Sequence, residues 1–109
     1  MKMIMAVVRP DRYEEVKEAL KAVGVMGMTF TRVTGHGMQA GIRFTSRVGD
    51  FVVDEIEKVE IQAVVDDEQV DTATDAICRA AYTGHPGDGR IFVMPVERSY
   101  RISEYQADP

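Results

Sequence analysis

The feature that most constrains this chain is a strand–helix–strand pattern that occurs twice. In the first copy, the apolar run at residues 3–8 ends at Pro10, and apolar residues then recur every three or four positions until Gly24. This spacing predicts a helix with one buried face, and Asp11 is its predicted N-cap. Threonine and valine at alternating positions predict a second strand over about residues 28–36.

The second copy repeats the same order. Residues 59–65 form a predicted strand, Asp66 and Asp67 begin a helix, and apolar residues spaced along 70–81 give that helix a buried stripe. Residues 90–95 form the last predicted strand. Two such units in a chain of 109 residues predict an α+β fold, a ferredoxin-like double βαβ sandwich. Its four-stranded antiparallel sheet carries both helices on one face.

The predicted strands are apolar on both of their sides. Ile4, Val7 and Val8 do not alternate with polar residues, and neither do the apolar residues of 61–65. Two helices can cover only one face of the sheet, so the other face needs a second cover. We therefore predict an obligate oligomer, in which three sheets packed face to face enclose a central barrel.

Length, charge and cysteine content limit the class of protein. The chain supports one hydrophobic core, so residues 1–109 are predicted to form a single domain. The net charge of −5 argues against nucleic acid as a partner, since phosphate contacts need clustered Lys and Arg. No apolar run is long enough to cross a bilayer. The one cysteine, Cys78, is interpreted as a small packing residue and suits a reducing, cytoplasmic location.

The glycine-rich segment at residues 83–93 is the strongest candidate binding element. Gly84, Gly87 and Gly89 allow positive φ and a close approach, so backbone N–H groups there can converge on a phosphate. Arg90 follows directly and supplies a guanidinium suited to phosphate oxygens. Taken alone, the same residues also fit a helix C-cap followed by a tight turn into a strand.

A long connection, residues 37–57, separates the second and third predicted strands. Connections of this length inside a compact domain are usually functional or disordered. It combines charged residues, apolar residues and glycines. Two interpretations stay open: a loop that orders against a partner protein, or an extended hairpin that packs on its own oligomer.

Several motifs together resemble the PII signal-transduction family over nearly the whole length. They are Arg9-Pro10, Gly27-Met28-Thr29, Gly35-His36-Gly37, Gln39, Gly41, Val53-Asp54, Lys58-Val59 and the segment from Thr83-Gly84 to Val93. The last segment fits the family's C-terminal signature at every defined position. The resemblance implies a homotrimer that binds ATP, ADP or AMP in three intersubunit clefts. It also implies a T-loop at about residues 37–54 and a B-loop at 83–90.

The resemblance also implies roles for individual residues. The implied nucleotide-binding residues are Val7, Thr29, Gly35, His36, Gly37, Met38, Val64, Gly87, Asp88, Gly89 and Arg90, with Arg101 from a neighbouring subunit. Gln39 and Lys58 would hold 2-oxoglutarate, and Gln39 would ligate Mg²⁺ when ATP and 2-oxoglutarate are bound. The implied target-binding residues of the T-loop are Ile42, Arg43, Phe44, Arg47 and Phe51. From the residues alone, Lys58 fits equally a charge at the start of a strand, and Gln39 an exposed amide.

Four positions depart from the pattern of this family. Phe51 replaces a tyrosine that many relatives modify with a nucleotide, and Gly49 replaces a serine that others phosphorylate. Neither residue has a hydroxyl, so we expect signalling through ligand occupancy alone. Met38 and Ser103 replace two basic residues of the nucleotide site. Since a charge-assisted hydrogen bond contributes about 1.5–3 kcal/mol, we expect weaker ATP and 2-oxoglutarate binding and a preference for ADP or AMP.

The resemblance therefore implies a regulator without enzymatic activity. It would control a target transporter or metabolic enzyme through the T-loop, in response to nitrogen, carbon or energy status. One alternative is a carbon-related sensor that prefers ADP or AMP and responds to bicarbonate. Others are a small ferredoxin-like enzyme, such as an acylphosphatase-like hydrolase, and a purely structural trimer. His36 and His85 lack a surrounding zinc framework and are expected to flank the nucleotide cleft.

Overall fold

The computed structural model describes residues 1–36, 42–46, 49–53 and 55–107. The strands are β1 (Lys2–Val8), β2 (Thr29–Gly35), β3 (Ile42–Ser46), β4 (Gly49–Val53), β5 (Ile56–Val65) and β6 (Gly89–Pro95), and the helices are α1 (Tyr13–Ala22) and α2 (Val70–Ala81). Four strands form an antiparallel sheet in the order β2-β5-β1-β6, while β3 and β4 pair only with each other. The predicted ferredoxin-like architecture is confirmed.

The core lies between the four-stranded sheet and the two helices. On the central strand β1, alternate residues Ile4, Ala6 and Val8 are buried, as the two-residue period of a strand requires. Helix α1 contributes Val16 and Leu20 to the same core. Full burial of one such aliphatic side chain contributes about 1.5–3 kcal/mol. The remaining core residues are Val25, Val59, Ile61, Ala63, Val65, Ala73, Ile77 and Ala81.

The two helices begin in different ways, and the prediction for the first was wrong. Pro10 occupies the first position of a 3-10 turn, Pro10–Arg12, with Arg9 as its N-cap. Proline has no N–H to satisfy and a preset φ, so the turn begins before Asp11. The Asp11 carboxylate instead accepts a hydrogen bond from Arg9 Nε at 3.2 Å. At the second helix, Asp66 forms the capping box with Gln69, in agreement with the sequence.

Two further sequence interpretations need correction. Strand β5 begins at Ile56, three residues before the predicted start, because Ile56 pairs with Gly35 and so extends the β2–β5 ladder. Cys78 is exposed instead of packed in the core. It follows the buried Ile77 and therefore lies off the buried stripe of α2.

The sheet face opposite the helices carries an apolar patch. Alternation on β1 places Met3, Met5 and Val7 on this face, and the register sets Met5 beside Phe92. Val64, Phe92 and Met94 extend the patch on the neighbouring strands. We call these six residues the open-face patch. Phe92 and Val64 are 45 % and 44 % exposed, so this face lacks the cover that the helices give the other.

Candidate functional site

A cleft of about 500 Å³ lies at one end of the four-stranded sheet. The ends of β1 and β2 and the start of β5 form one wall, and the glycine-rich loop before β6 forms the other. A cleft of this size matches typical small-ligand sites. Its lining residues are Val7, Gly35, His36, Ile56, Lys58, His85, Pro86, Gly87, Asp88, Gly89 and Arg90.

The glycine-rich loop owes its shape to positive φ angles. After α2 the chain must reverse within a few residues to begin β6, and Gly84, Gly87 and Gly89 have φ of 83°, 94° and 116°. At Gly89 an added Cβ would lie 1.8 Å from the Val7 carbonyl oxygen. A side chain at this position would therefore crowd the backbone of β1, which pairs with β6.

The Asp88 side chain joins the two ends of the glycine-rich loop by hydrogen bonds. Its Oδ2 atom accepts hydrogen bonds from the backbone N–H of Thr83 at 2.8 Å and of Gly84 at 3.0 Å, and its Oδ1 atom accepts one from the Thr83 hydroxyl. The bonds from Thr83, with a further one from Gly84, lower the pKa of the Asp88 carboxyl. The negative charge is thus engaged by the loop's own donors.

Lys58 joins strand β5 to the same loop. Its ammonium donates a hydrogen bond to the carbonyl oxygen of Gly87. Partial burial lowers the pKa of Lys58, and the nearby charge of Arg9 lowers it further. An ammonium held at the glycine-rich loop in this way is suited to bind an anion.

The charges around the cleft favour an anionic ligand. Lys58 and Arg90 are cationic, whereas the one carboxylate in the lining, Asp88, is bonded to the start of its own loop. This local balance is the reverse of the whole chain, whose net charge is −5. The arrangement can hold phosphate or carboxylate groups between the loop and the two cations.

The structure brings together most of the predicted nucleotide residues, but not all of them. Eight line the cleft: Val7, Gly35, His36, Lys58 (predicted for 2-oxoglutarate), Gly87, Asp88, Gly89 and Arg90. Thr29, Val64 and Arg101 are exposed and do not line it. Thr29 lies six residues from Gly35 along β2, a distance of about 20 Å at the rise of a strand. Thr29 therefore lies too far along β2 to reach the cleft of its own chain.

The remaining predicted residues lie in or beside the long connection. Gly37, Met38, Gln39 and Arg47 lie outside the described residues, so the Mg²⁺ and 2-oxoglutarate roles of Gln39 remain predictions. Ile42, Arg43 and Phe44 lie on β3, and Phe51 lies on β4. The two strands pair from Ile42 opposite Val53 to Ser46 opposite Gly49, so residues 42–46 and 49–53 form a two-stranded ribbon, the β3–β4 ribbon.

Two lining residues were absent from the predicted site, Ile56 and Pro86, whereas His85 was expected to flank the cleft and lies in its lining. Ile56 was missed because β5 was predicted to begin at residue 59. Pro86 lies inside the glycine-rich segment, and its position within that segment was the available signal. Across residues 1–36 and 55–107, no three His, Cys, Asp or Glu side chains cluster as a metal site. None of the described helices is long and apolar enough to span a bilayer.

Comparisons with known proteins agree on one family. The family model described as nitrogen regulatory protein P-II matches residues 1–106. Nitrogen regulatory protein P-II 2 of Methanothermobacter thermautotrophicus is 47 % identical over 102 residues, which cover 94 % of this chain and 89 % of that protein. Nitrogen regulatory protein P-II of Azospirillum brasilense is 47 % identical, with coverage of 94 % and 91 %. Nitrogen regulatory protein P-II 1 of Escherichia coli is 45 % identical over 108 residues, with coverage of 99 % and 96 %.

Proposed function

The chain belongs to the nitrogen regulatory protein P-II family, and from this premise we propose that it is a nucleotide-responsive regulator. In this proposal it binds ATP, ADP or AMP in clefts between the subunits of a homotrimer. The nucleotide state then decides whether the T-loop docks on a target transporter or metabolic enzyme in the cytoplasm. We assign the protein no catalytic role.

The observation that carries the proposal is that the Asp88 carboxylate is hydrogen-bonded to the start of its own loop. A carboxylate directed into the cleft would repel a phosphate, but this one accepts N–H bonds from Thr83 and Gly84. Glycine-rich backbone, Lys58 and Arg90 are left to face a cleft of suitable size. Backbone N–H groups in such a loop are a recognised anion cradle.

The open face of the sheet supports a site between subunits. Val7, Lys58 and Arg90 line the cleft and lie on the same sheet face as the open-face patch, because Val7 alternates with the buried Ala6 and Val8 and pairs with Arg90. A second copy that covers the patch would therefore border the cleft. Thr29 and Val64 lie toward the other end of the sheet. In the proposed trimer, these residues and Arg101 are supplied by the neighbouring copy.

The proposed mechanism is a population shift in the T-loop. Gly35 and His36 line the cleft, and in the sequence they precede the β3–β4 ribbon by only a few residues. A ligand that binds one arrangement of this segment more tightly increases the population of that arrangement. Only some arrangements would present the ribbon to the target. Lys58, with Gln39, is the proposed site of 2-oxoglutarate, with Mg²⁺ held only when ATP is also bound.

A second candidate function is a sensor related to carbon supply. Met38 and Ser103 occupy positions where the family has two basic residues. Ser103 is exposed in the turn Ile102–Glu104. Fewer cations weaken binding of the most highly charged ligand first. This version of the regulator prefers ADP or AMP and responds to bicarbonate in place of 2-oxoglutarate.

Calorimetric titration with ATP, ADP and AMP tests both candidates. Each nucleotide is titrated with and without Mg²⁺, 2-oxoglutarate and bicarbonate. We expect ADP or AMP to bind more tightly than ATP, and Arg90→Gln to weaken all three about tenfold through loss of one charge-assisted contact. ATP binding with 2-oxoglutarate synergy would assign the protein to the nitrogen-responsive version. Absence of binding by all three nucleotides would overturn the proposal.

A further inference from the structure

We propose that His36 and His85 make ligand binding in the cleft depend on pH, so that acidification tightens the bound nucleotide. The inference rests on the proposed function and adds proton regulation to the same site. It follows from where the fold places the chain's two histidines.

Both histidines line the same cleft although 49 positions separate them in the sequence. His36 directly follows β2, next to Gly35, which pairs with Ile56 on the cleft wall. His85 lies on the opposing glycine-rich loop. The fold therefore brings one histidine from β2 and one from the loop into the lining of the same cleft.

The backbone at His85 is held in place by the loop. Its N–H donates to the Thr83 hydroxyl oxygen at 3.2 Å, and that hydroxyl is itself bonded to Asp88. Pro86 follows and restricts the backbone of His85 to extended conformations. The position of this residue at the cleft is thus part of the loop structure.

Charged groups of both signs lie around the two histidines, including Glu57 on β5, which pairs with Thr34 two residues before His36. Lys58 on β5 and Arg90 on β6 line the cleft, and Arg9 at the end of β1 acts on Lys58 together with Asp11. Asp88, the carboxylate of the lining, is engaged by Thr83 and Gly84. A bound polyphosphate would bring several negative charges into this cleft, beside both histidines.

Binding and proton uptake are therefore linked. Histidine is the side chain that ordinarily changes charge between pH 5 and 8. Each imidazolium formed beside a phosphate adds an attractive contact, which for exposed groups corresponds to up to about fivefold in affinity. Affinity consequently rises as pH falls through this range, and binding takes up protons.

Titration of ADP at pH 6 and pH 8 tests the inference. The proteins compared are the wild type, His36→Gln, His85→Gln and the double variant. The ligand's own protonation is the same for every protein, so it cancels when their ratios of affinity at the two pH values are compared. We expect the ratio of the wild type to exceed that of the double variant by about tenfold, with intermediate ratios for the single variants.

Arg90→Gln is the matched control, because arginine stays charged at both pH values. It should weaken ADP at both pH values, and its ratio should still exceed that of the double histidine variant. Equal ratios for the wild type and the double variant, with ADP bound by both, would overturn the inference and leave the proposed function intact. Inorganic pyrophosphate is titrated in parallel. If pyrophosphate binds with a histidine-dependent ratio and ADP does not bind, the inference is upheld and the nucleotide site is refuted. If neither ligand binds, the inference and the nucleotide site are both refuted.

Discussion

At the scale of single residues, the cleft depends on how the glycine-rich loop meets the sheet. Gly89 lies where β6 begins beside β1, so close to the Val7 carbonyl that no side chain fits. Asp88, one residue earlier, bonds back to Thr83 and Gly84 and fixes the opposite end of the loop. Gly89 shapes the loop because it has no side chain, and Asp88 shapes it through its carboxylate. Each role can be tested by substitution.

Gly89→Ala should destabilise the protein by about 2–4 kcal/mol, from the strain at a φ of 116° and the contact with Val7. It should also weaken ADP, because Arg90 follows directly. Urea unfolding and ADP titration measure the two effects. Gly27→Ala is the control, since an added Cβ there meets no atom within 4 Å and φ is not positive. Equal stability of the two variants would contradict the packing described at Gly89.

Asp88→Asn should lower the thermal unfolding temperature at pH 7 by a few degrees and weaken ADP. Hydrogen bonds from Thr83 lower the pKa of Asp88 from 3.8, so the stability it contributes is present above pH 3.8. That contribution is lost as pH falls through the lowered folded-state pKa. Thermal unfolding between pH 7 and pH 2 measures the difference from wild type, which should shrink at the acid end. If the difference in unfolding temperature between Asp88→Asn and the wild type stays constant from pH 7 to pH 2, the role of the carboxylate is refuted. The same holds if the exposed control Glu97→Gln shows an equal difference.

At the scale of elements, the sequence predicts the order and type of structure well and the boundaries less well. Apolar spacing identifies both helices and the four sheet strands because each buries one face against a common core. Asp11 was mistaken for the helix N-cap because Pro10 can begin a turn that no apolar pattern marks. The start of β5 at Ile56 depends on pairing with Gly35, a long-range contact that local sequence does not encode.

The candidate site was likewise predictable from the sequence only in part. The glycine-rich loop was identified from sequence because positive φ restricts residue type. The hydrogen bonds of the Asp88 carboxylate to Thr83 and the place of Ile56 in the cleft lining are not marked by any local sequence pattern. The implied roles of Thr29, Val64 and Arg101 depend on a second copy of the chain and remain predictions.

The β3–β4 ribbon should be separable from the rest of the fold. Its strands pair only with each other, so replacing residues 42–53 by a short Gly-Ser linker removes no hydrogen bond of the four-stranded sheet. We expect unfolding temperature and ADP affinity to stay near those of the wild type, while binding to the target is lost. Thermal unfolding and ADP titration measure the first part. Collapse of the fold in this variant would contradict the separate role of the ribbon.

At the scale of the whole molecule, the open-face patch and the cleft share one face of the sheet. The patch includes Met5 and Phe92, which lie side by side on adjacent strands. Burying such apolar surface drives subunit association at about 25 cal/mol per Å². The same association would complete the cleft, so oligomerisation and nucleotide binding are coupled in this account.

Phe92→Glu should convert the proposed trimer to a monomer, because a buried, unpaired carboxylate opposes packing of the open faces. Light scattering after size exclusion measures the mass. One chain is 12.2 kDa, so three chains give about 37 kDa. Thr72→Glu on the exposed side of α2 adds the same charge away from the sheet and should remain trimeric. A wild type that runs as a 12.2 kDa monomer would refute the trimer.

The most direct test of the central claim is calorimetric titration of ADP into the wild type and into Phe92→Glu, with circular dichroism to confirm that both are folded. The account predicts one ADP per chain in the trimeric wild type and loss of binding in the folded monomer, since the neighbouring copy's residues are then missing. ADP binding by the folded monomer at wild-type affinity would contradict a site formed between subunits.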